Sequence, residues 1–270
     1  MSEKPSKSHG RLAISATAQP RDLMTDRPDL VGAWTAKIIT LFPEAFPGVL
    51  GASLTGKALH EGKWKLDTVD LRLFGEGKHR NVDDTPAGGG AGMVLRPDIM
   101  SRAIRFAQKD APKDRALWPL VYLSPRGKPF TQRTAERFAA AEGLTMICGR
   151  FEGLDQRVID HYKIEEVSLG DFVMTGGEIA AQAVIDATIR LRPGIIGNAA
   201  STEEESFSEG LLEHPQYTRP ATWEGHEIPE VLTSGDHGKV AKWRKDQAED
   251  ITKSRRPDLW RAYRDKKDKT

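Results

Sequence analysis

The chain has 270 residues, 38% of them hydrophobic and 29% charged, with a formal net charge of +1. This is ample apolar material for one large domain or two smaller ones. The chain contains no apolar run of about 18 residues, no apolar secretion-signal core at its N-terminus, and Cys148 as its single cysteine. The sequence therefore predicts a cytoplasmic protein without membrane spans, disulfides or a zinc site of cysteine and histidine ligands.

The first part of the chain predicts an extension followed by strands and a helix. Residues 1–33 are rich in Ser, Lys, Pro and Asp, which is typical of a flexible extension. Ala36–Phe42 predicts a buried strand that ends at Pro43. Trp64–Phe74 alternates apolar and polar residues like a half-buried strand, and a helix is expected from Pro97 to about Lys109.

Strands and helices continue to alternate after residue 119. Three short strands are predicted, at Leu120–Leu123, Leu144–Cys148 and Lys163–Val167. Thr131 is expected to cap a helix that continues to Glu142 and ends at Gly143, and Ile179–Ile189 predicts an amphipathic helix. This alternation predicts an α/β domain with a largely parallel sheet.

Three glycine-bearing turns accompany these strands. They are Tyr122–Gly127, Ile147–Gly153 and Ser168–Glu178. Glycine lets the backbone approach a small polar ligand closely, so that N–H and C=O groups can hold it. We therefore expect one ligand held by three loops at one edge of the sheet.

A fourth glycine cluster, Gly88–Gly92, contains the pattern G-x-G-x-G. A dinucleotide-binding turn must directly follow a hydrophobic strand, whereas this cluster follows the polar segment Asn81–Pro86. We interpret it as a flexible loop that approaches a substrate closely. The segment Lys78–Asp84, which overlaps Asn81–Pro86, mixes basic and acidic side chains. It is either a loop that binds a phosphate and the edge of a base or a surface turn whose charges neutralise one another.

The pattern changes after Pro193. Residues 197–210 are polar and acidic and predict a linker. Neighbouring carboxylates within Glu203–Glu205 raise one another's pKa, so one of them could serve as a general base, although a solvated acidic run is the simpler interpretation. Arg190 lies near the end of the preceding predicted helix, where an arginine can also merely compensate the helix dipole.

Residues 211–270 predict a small α-rich domain with helices at Val240–Ala248 and Arg256–Asp265. From Lys239 to the end there are twelve Lys/Arg and six Asp/Glu, with Trp243, Trp260 and Tyr263 among them. Cations attract phosphates and aromatic rings stack on bases, so this mixture suits RNA. An ordinary solvated helical surface with a frayed basic tail is the alternative.

Nine short motifs occur in a fixed order from Leu41 to Gly235. They are Leu41–Pro43, Val82–Gly90, Ser124–Gly127, Cys148–Gly153, Gly170–Glu178, Arg192–Gly194, Ser206–Leu212, Pro215–Pro220 and Pro229–Gly235. Through them the chain resembles, from about Trp34 to Trp260, the bacterial tRNA (guanine-N1)-methyltransferases of the TrmD family, in the knotted SPOUT class.

The resemblance implies a fold, a reaction and a partner. It implies a deep trefoil knot in an α/β domain at residues 34–196, a linker at 197–210 and an α-helical tRNA-binding domain at 211–270. The expected enzyme is a homodimer that transfers a methyl group from S-adenosylmethionine to N1 of guanosine 37 of tRNA, 3′ of the anticodon. The alternatives are a knotted methyltransferase for another RNA or for a ribose hydroxyl, and a catalytically disabled RNA-binding protein.

The resemblance also assigns roles to individual residues. Glu205 would be the general base, in place of the family's usual aspartate, with Glu204 as a competitor, and Arg190 rather than Arg192 would assist it. The family makes a magnesium requirement plausible, although no cluster of metal ligands is visible. The cofactor loops would contribute Tyr122, Leu123, Ser124, Pro125, Gly149, Glu152, Ser168, Leu169, Gly170, Asp171, Phe172, Val173, Met174, Gly176 and Gly177. The residues expected to contact tRNA are His79, Arg80, Asp83, Lys242 and Arg244.

Overall fold

The computed structural model describes residues 32–196, 205–207 and 209–268. The predicted N-terminal extension therefore lies almost wholly outside the described residues, as do residues 197–204 and 208 of the predicted linker. Five parallel strands form the main sheet: β1 (Trp34–Thr40), β2 (Trp64–Asp70), β5 (Leu120–Pro129), β6 (Gly143–Cys148) and β7 (Glu165–Ser168). Their order across the sheet is β2-β1-β6-β5-β7, which confirms the predicted α/β class with a parallel sheet.

The remaining strands form two small antiparallel hairpins. They are β3 (Asp83–Asp84) with β4 (Val94–Leu95), and β8 (Thr222–Trp223) with β9 (His226–Glu227). The helices of the described residues are α1 (Ser53–His60), α2 (Pro97–Ala107), α3 (Gln132–Ala140), α4 (Gln156–Tyr162), α5 (Glu178–Ile189), α6 (Glu230–Thr233), α7 (His237–Arg255) and α8 (Pro257–Lys267). None of these helices combines the length and apolar character that crossing a bilayer requires.

The core consists of two clusters on opposite faces of the main sheet. Successive side chains of a strand point to opposite faces, and in β1 Ile38 belongs to one cluster and Ile39 to the other. The first cluster contains residues of α1, α3 and α5, and the second contains residues of α2 and α4. Because both faces are covered, the central strands bury apolar side chains on both sides, which explains hydrophobic stretches such as Ile38–Ile39 and Met146–Cys148 in the sequence.

Two predicted boundaries in the first half are wrong. β1 ends at Thr40 rather than Phe42, because the Thr40 hydroxyl accepts a hydrogen bond from the backbone N–H of Phe42 at 3.0 Å. β2 ends at Asp70, whose carboxylate accepts a hydrogen bond from the N–H of Arg72 at 2.8 Å. The chain then turns into a 3-10 helix at Leu71–Phe74, so the last four residues of the predicted strand are not extended.

The helix that begins after Thr131 is also shorter than predicted. The Thr131 hydroxyl caps it as expected, accepting a hydrogen bond from the N–H of Thr134 at 3.3 Å. The helix ends at Ala140, because Glu142 is already held between Leu117 and Thr35 by backbone hydrogen bonds of 3.0 and 3.2 Å. Gly143 is consequently the first residue of β6 rather than a helix terminator.

The C-terminal helices are longer than predicted, and α4 was not predicted at all. α7 begins three residues before the predicted start, capped by the Asp236 carboxylate, which accepts a hydrogen bond from the N–H of Lys239 at 3.1 Å. α4 has a comparable cap at Asp155 and ends at Tyr162, and the following residue, Lys163, has a left-handed backbone conformation. Its seven residues are too few for a periodic pattern to stand out.

Candidate active site

A pocket of about 260 Å³ opens where β5, β6 and β7 meet the loops that follow them. Ligands of open α/β sheets bind at this end of the strands. The wall contains residues from all three glycine-bearing turns that the sequence singles out. Those predicted to hold the cofactor and found in the wall are Tyr122, Leu123, Ser124, Pro125, Gly149, Glu152, Ser168, Leu169, Gly170, Phe172, Val173, Met174, Gly176 and Gly177. Asp171 is exposed and does not line the pocket, although both its neighbours do.

The first loop is a bulge inside β5 rather than a turn beyond its end. Leu123 and Lys128 both pair with Val167 of β7, so the four residues between them are displaced from the ladder. A Cβ at Gly127 would overlap the backbone nitrogen of Val167, which explains why glycine stands there. The bulge places Ser124 and Pro125 in the pocket wall.

The second loop packs against the ring of Tyr122. A Cβ at Gly149 would lie 2.9 Å from the ring and the hydroxyl oxygen, and one at Gly153 would lie 2.8 Å from that oxygen. Burial raises the pKa of the Tyr122 hydroxyl, so the phenol is neutral and forms part of a rigid wall. Glycine at both positions lets the loop lie directly on the ring.

The third loop is joined to the second by a hydrogen bond of 3.1 Å from the N–H of Gly177 to the carbonyl of Gly149. Gly177 is also the residue that precedes α5. The neighbouring Cys148 thiol is fully buried, and its burial raises its pKa well above the ordinary value. The thiol therefore stays protonated and does not serve as a nucleophile.

No site role was predicted for Arg150 or Glu178, although both lie in quoted motifs. Arg150 follows Gly149 and lines the pocket, and Glu178 is the first residue of α5. Nη2 of Arg150 lies 2.8 Å from Oε2 of Glu178. A separation of 28 residues gives no sequence signal for such a pair.

Arg190 and Glu205, the predicted catalytic residues, form a bidentate ion pair. Nη1 of Arg190 donates to Oε2 of Glu205 at 2.6 Å, and Nη2 donates to Oε1. The hydrogen bonds from Arg190 lower the pKa of Glu205 against an opposing effect of partial burial, and Glu205 raises the pKa of Arg190. Glu205 is therefore an ionised proton acceptor at neutral pH, with its basicity reduced while Arg190 holds it.

Glu204 and Arg192 were the alternatives to Glu205 and Arg190 as catalytic residues. Glu204, the competing base, lies outside the described residues. Arg192 donates from Nη1 to the carbonyl of Ala139 at 2.9 Å and so connects the segment after α5 to α3. This contact accounts for Arg192 structurally and leaves Arg190 as the arginine that meets Glu205.

The predicted tRNA-contacting residues of the C-terminal part differ in exposure. Arg244 lines a cleft together with Glu205 and His214, whereas Lys242 is exposed on α7. The aromatic rings are partly engaged with one another: Trp243 packs against His214 and Tyr217, with ring centroids 6.4 and 6.1 Å apart. Trp260 stacks on Tyr263, with ring centroids 5.7 Å apart. One face of each of these rings is therefore covered by another ring of the protein rather than available to stack on a base.

The predicted residues of the N-terminal part lie close to the glycine cluster. His79 and Arg80 are exposed in a turn, and Asp83 belongs to β3. The Gly88–Gly92 cluster lies between β3 and β4, at the tip of that hairpin.

The hairpin is joined to the pocket through its second loop. The N–H of Glu152 donates to the carbonyl of Met93 at 2.9 Å, and the N–H of Leu95 donates to the carbonyl of Gly153 at 2.9 Å. A Cβ at Gly92 would overlap the Glu152 carboxylate, which itself lines the pocket. The glycine cluster thus approaches the edge of the pocket.

Within residues 32–196, 205–207 and 209–268 there is no group of three or more His, Cys, Asp or Glu side chains arranged to hold a metal ion. Mg²⁺ in proteins is held by carboxylates, waters and substrate phosphates in near-octahedral geometry. The magnesium requirement that the family makes plausible therefore stays a prediction.

Comparison with known proteins adds a family to this geometry. The sequence profile described as tRNA (Guanine-1)-methyltransferase TrmD matches residues 35–262. A tRNA (guanine-N(1)-)-methyltransferase of Jannaschia sp. (strain CCS1) is 71% identical over 237 residues, which are 88% of this chain and 96% of the relative. A protein of the same name from Ruegeria sp. (strain TM1040) is 67% identical over 92% of this chain and 100% of the relative. Another, from Brucella suis (strain ATCC 23445 / NCTC 10510), is 55% identical over 89% of this chain and 96% of the relative.

Proposed function

The chain belongs to the tRNA (guanine-1)-methyltransferase TrmD family, and we propose that it transfers a methyl group from S-adenosylmethionine to N1 of guanosine 37 of tRNA. The observation that carries this proposal is the Arg190–Glu205 pair, because it joins a proton acceptor and a cation. Methylation of guanine N1 needs both groups.

The pocket at the three loops is the proposed site of the methyl donor. Its wall combines apolar side chains such as Leu123, Leu169 and Met174 with the backbone of glycine-bearing loops. Apolar contacts suit an adenine ring, and backbone N–H and C=O groups suit its polar edge. When bound, the donor supplies an electrophilic methyl group on a sulfonium.

Guanine N1 carries a proton and is a poor nucleophile at neutral pH, so its attack needs a base. Glu205 would remove that proton, and Arg190 would stabilise the negative charge that develops on O6. While the pair is closed, the basicity of Glu205 is reduced and two N–H donors of Arg190 are engaged. We infer that tRNA binding separates them, so that the base is released where its substrate is present.

We propose that the remaining predicted residues bind tRNA. His79, Arg80 and Asp83 adjoin the hairpin that approaches the pocket, and Lys242 and Arg244 lie on α7. That Arg244 shares a cleft with Glu205 supports a role beside the proposed base. A guanidinium there can pair with a phosphate beside the target guanosine.

We propose that the enzyme is a cytoplasmic homodimer with the trefoil knot and domain bounds given by the family. Support for association comes from exposed apolar side chains on or beside α5. Ile179 is 67% exposed, Val173 is 85% exposed and Val49 is 72% exposed. A helix whose outer face carries such residues can bury them against a second copy. No step of the proposed reaction passes through Mg²⁺.

The function is tested with two unmodified tRNAs that differ only in carrying guanosine or adenosine at position 37. Each is incubated with the protein and S-adenosylmethionine, and the nucleosides are identified by mass spectrometry. We expect N1-methylguanosine from the first tRNA alone. Methylation at another atom or nucleotide would indicate a different RNA methyltransferase, and binding of both substrates without methylation would indicate a disabled enzyme.

A further inference from the structure

A buried polar cluster lies behind the donor pocket. We name it the Thr40–Arg150–Glu178 cluster after its three side chains. Glu178 is only 4% exposed and Thr40 is fully buried. The Thr40 hydroxyl donates to Oε1 of Glu178 at 2.7 Å, while Nη2 of Arg150 lies 2.8 Å from Oε2. The carboxylate of Glu178 is therefore held from both sides.

Arg150 has two further contacts that fix its orientation. Its Nη1 donates to the backbone carbonyl of Thr175 at 3.2 Å. Its guanidinium carbon lies 4.3 Å from the centre of the Phe42 ring, where a cation is attracted to the aromatic face. A planar guanidinium can make a lateral ion pair, a carbonyl contact and a stacking contact together, which an ammonium cannot.

The cluster connects segments that are far apart in the chain. Thr40 ends β1, Arg150 belongs to the second pocket loop, Thr175 belongs to the third, and Glu178 begins α5. Both loops line the donor pocket. Their relative position is therefore held by this ion pair together with the backbone hydrogen bond from Gly177 to Gly149.

Two glycines of the third loop, Gly176 and Gly177, pack so closely against their surroundings that neither site has room for a Cβ atom. A Cβ at Gly176 would overlap the guanidinium of Arg150 and lie 2.6 Å from Oε2 of Glu178. A Cβ at Gly177 would lie 2.8 Å from the Cα of Cys148. Because Gly176 and Gly177 also line the pocket, a shift of the cluster moves the pocket wall directly.

Removing one partner of a buried ion pair leaves a buried charge without compensation, and nearby groups then rearrange to solvate it. Here such a rearrangement would separate the two loops. We propose that Arg150 and Glu178 are positioning residues for the methyl donor: their pairing sets the spacing of the second and third pocket loops. This inference rests on the proposed function, since it assumes that the pocket binds S-adenosylmethionine.

The central test is Glu178→Gln, which keeps the volume of the side chain and the acceptor for Thr40 but removes the charge that Arg150 faces. Calorimetry with S-adenosylmethionine alone gives the Kd, and steady-state methylation of tRNA gives the KM for the donor and kcat. We expect Kd and KM to rise roughly tenfold or more. We expect kcat at saturating donor and tRNA to change less than threefold, because Glu205 and Arg190 are intact.

Two further variants and one control complete the test. Arg150→Lys keeps the charge but loses the planar geometry, and Thr40→Val removes one hydrogen bond from Glu178, so both should weaken donor binding less than Glu178→Gln. Glu165→Gln is the matched control, because Glu165 pairs with Arg137 at the surface and does not line the pocket. Its donor affinity should equal that of the unaltered protein.

The outcomes separate this inference from the proposed function. Unchanged donor affinity in Glu178→Gln and Arg150→Lys, together with a lower unfolding temperature, would assign the cluster a purely structural role and overturn the inference. A fall in kcat at unchanged KM would also overturn it. Failure of the unaltered protein to bind S-adenosylmethionine would overturn the proposed function itself, and the inference with it. If Glu178→Gln does not fold, the other two variants decide.

Discussion

Arg190 and Glu205 lie fifteen residues apart in the chain, and the two nitrogens of one guanidinium face the two oxygens of one carboxylate. Two N–H donors of Arg190 and one lone pair on each oxygen of Glu205 are thereby engaged. Bidentate pairs of this kind are among the stronger polar contacts in proteins. The pair keeps Glu205 ionised and oriented, and opening it would raise the basicity of that carboxylate.

The first prediction concerns the identity of the base. Glu205→Gln removes the proton acceptor and should lower kcat by about 10²–10⁴, while donor binding by calorimetry stays unchanged. Glu205→Asp keeps a carboxylate and should retain far more activity. Glu204→Gln is the matched control and should remain active. Full activity of Glu205→Gln, or loss of activity only in Glu204→Gln, would reassign the base.

The second prediction concerns the pH dependence of stability. Arg190 lowers the pKa of Glu205, so the pair stabilises the folded state above the pKa of an unfolded glutamic acid. This contribution, about 1 kcal/mol or less for a partly exposed pair, should disappear as pH falls through the lowered folded-state pKa. Urea unfolding of the unaltered protein and Arg190→Met between pH 3 and 7 measures it. A stability difference that does not shrink as the pH is lowered would contradict this account.

The third prediction concerns association. Ile179→Asp places a charge on the exposed face of α5 and should convert a dimer into monomers, as measured by light scattering after size-exclusion chromatography. The control is Leu73→Asp, because Leu73 is similarly exposed but lies in the 3-10 helix after β2. A dimer that survives Ile179→Asp would place the interface elsewhere on the surface.

The fourth prediction concerns the space beside α5. Gly177 has a helical backbone conformation, so only its surroundings exclude a side chain. Gly177→Ala would force Cβ against the backbone of Cys148 and should weaken donor binding as well as lower the unfolding temperature. Gly238→Ala, within α7, meets no such obstacle and should stabilise the protein by about 0.5–1 kcal/mol. Equal effects of the two changes would show that the space beside Gly177 is not limiting.

The sequence predicted the parallel sheet well because its central strands bury apolar side chains on both faces and alternate along the chain with helices. It predicted the pocket loops because glycine marks places where the backbone approaches other atoms. It failed where a local side chain overrides a pattern: Asp70 caps a 3-10 helix at the point where the alternation of Trp64–Phe74 still predicts a strand.

The sequence could not predict contacts that depend on the tertiary fold. Arg150 and Glu178 stand in two separate motifs, and only the parallel arrangement of β6 and β7 around β5 brings their loops together. The packing of Trp243 against His214 and Tyr217 could not be predicted either, because a basic and aromatic composition does not say which rings contact one another in the folded protein.

α5 has Glu178 at its first position and Arg190 immediately after its last. Twelve residues at about 1.5 Å each give a rod of about 18 Å that separates the two. Inserting one residue into α5 would rotate Arg190 by about 100° relative to Glu178 and swing its guanidinium away from Glu205. The length of this helix is thus as strictly constrained as the identity of the residues at its two ends, and natural insertions and deletions should fall outside it.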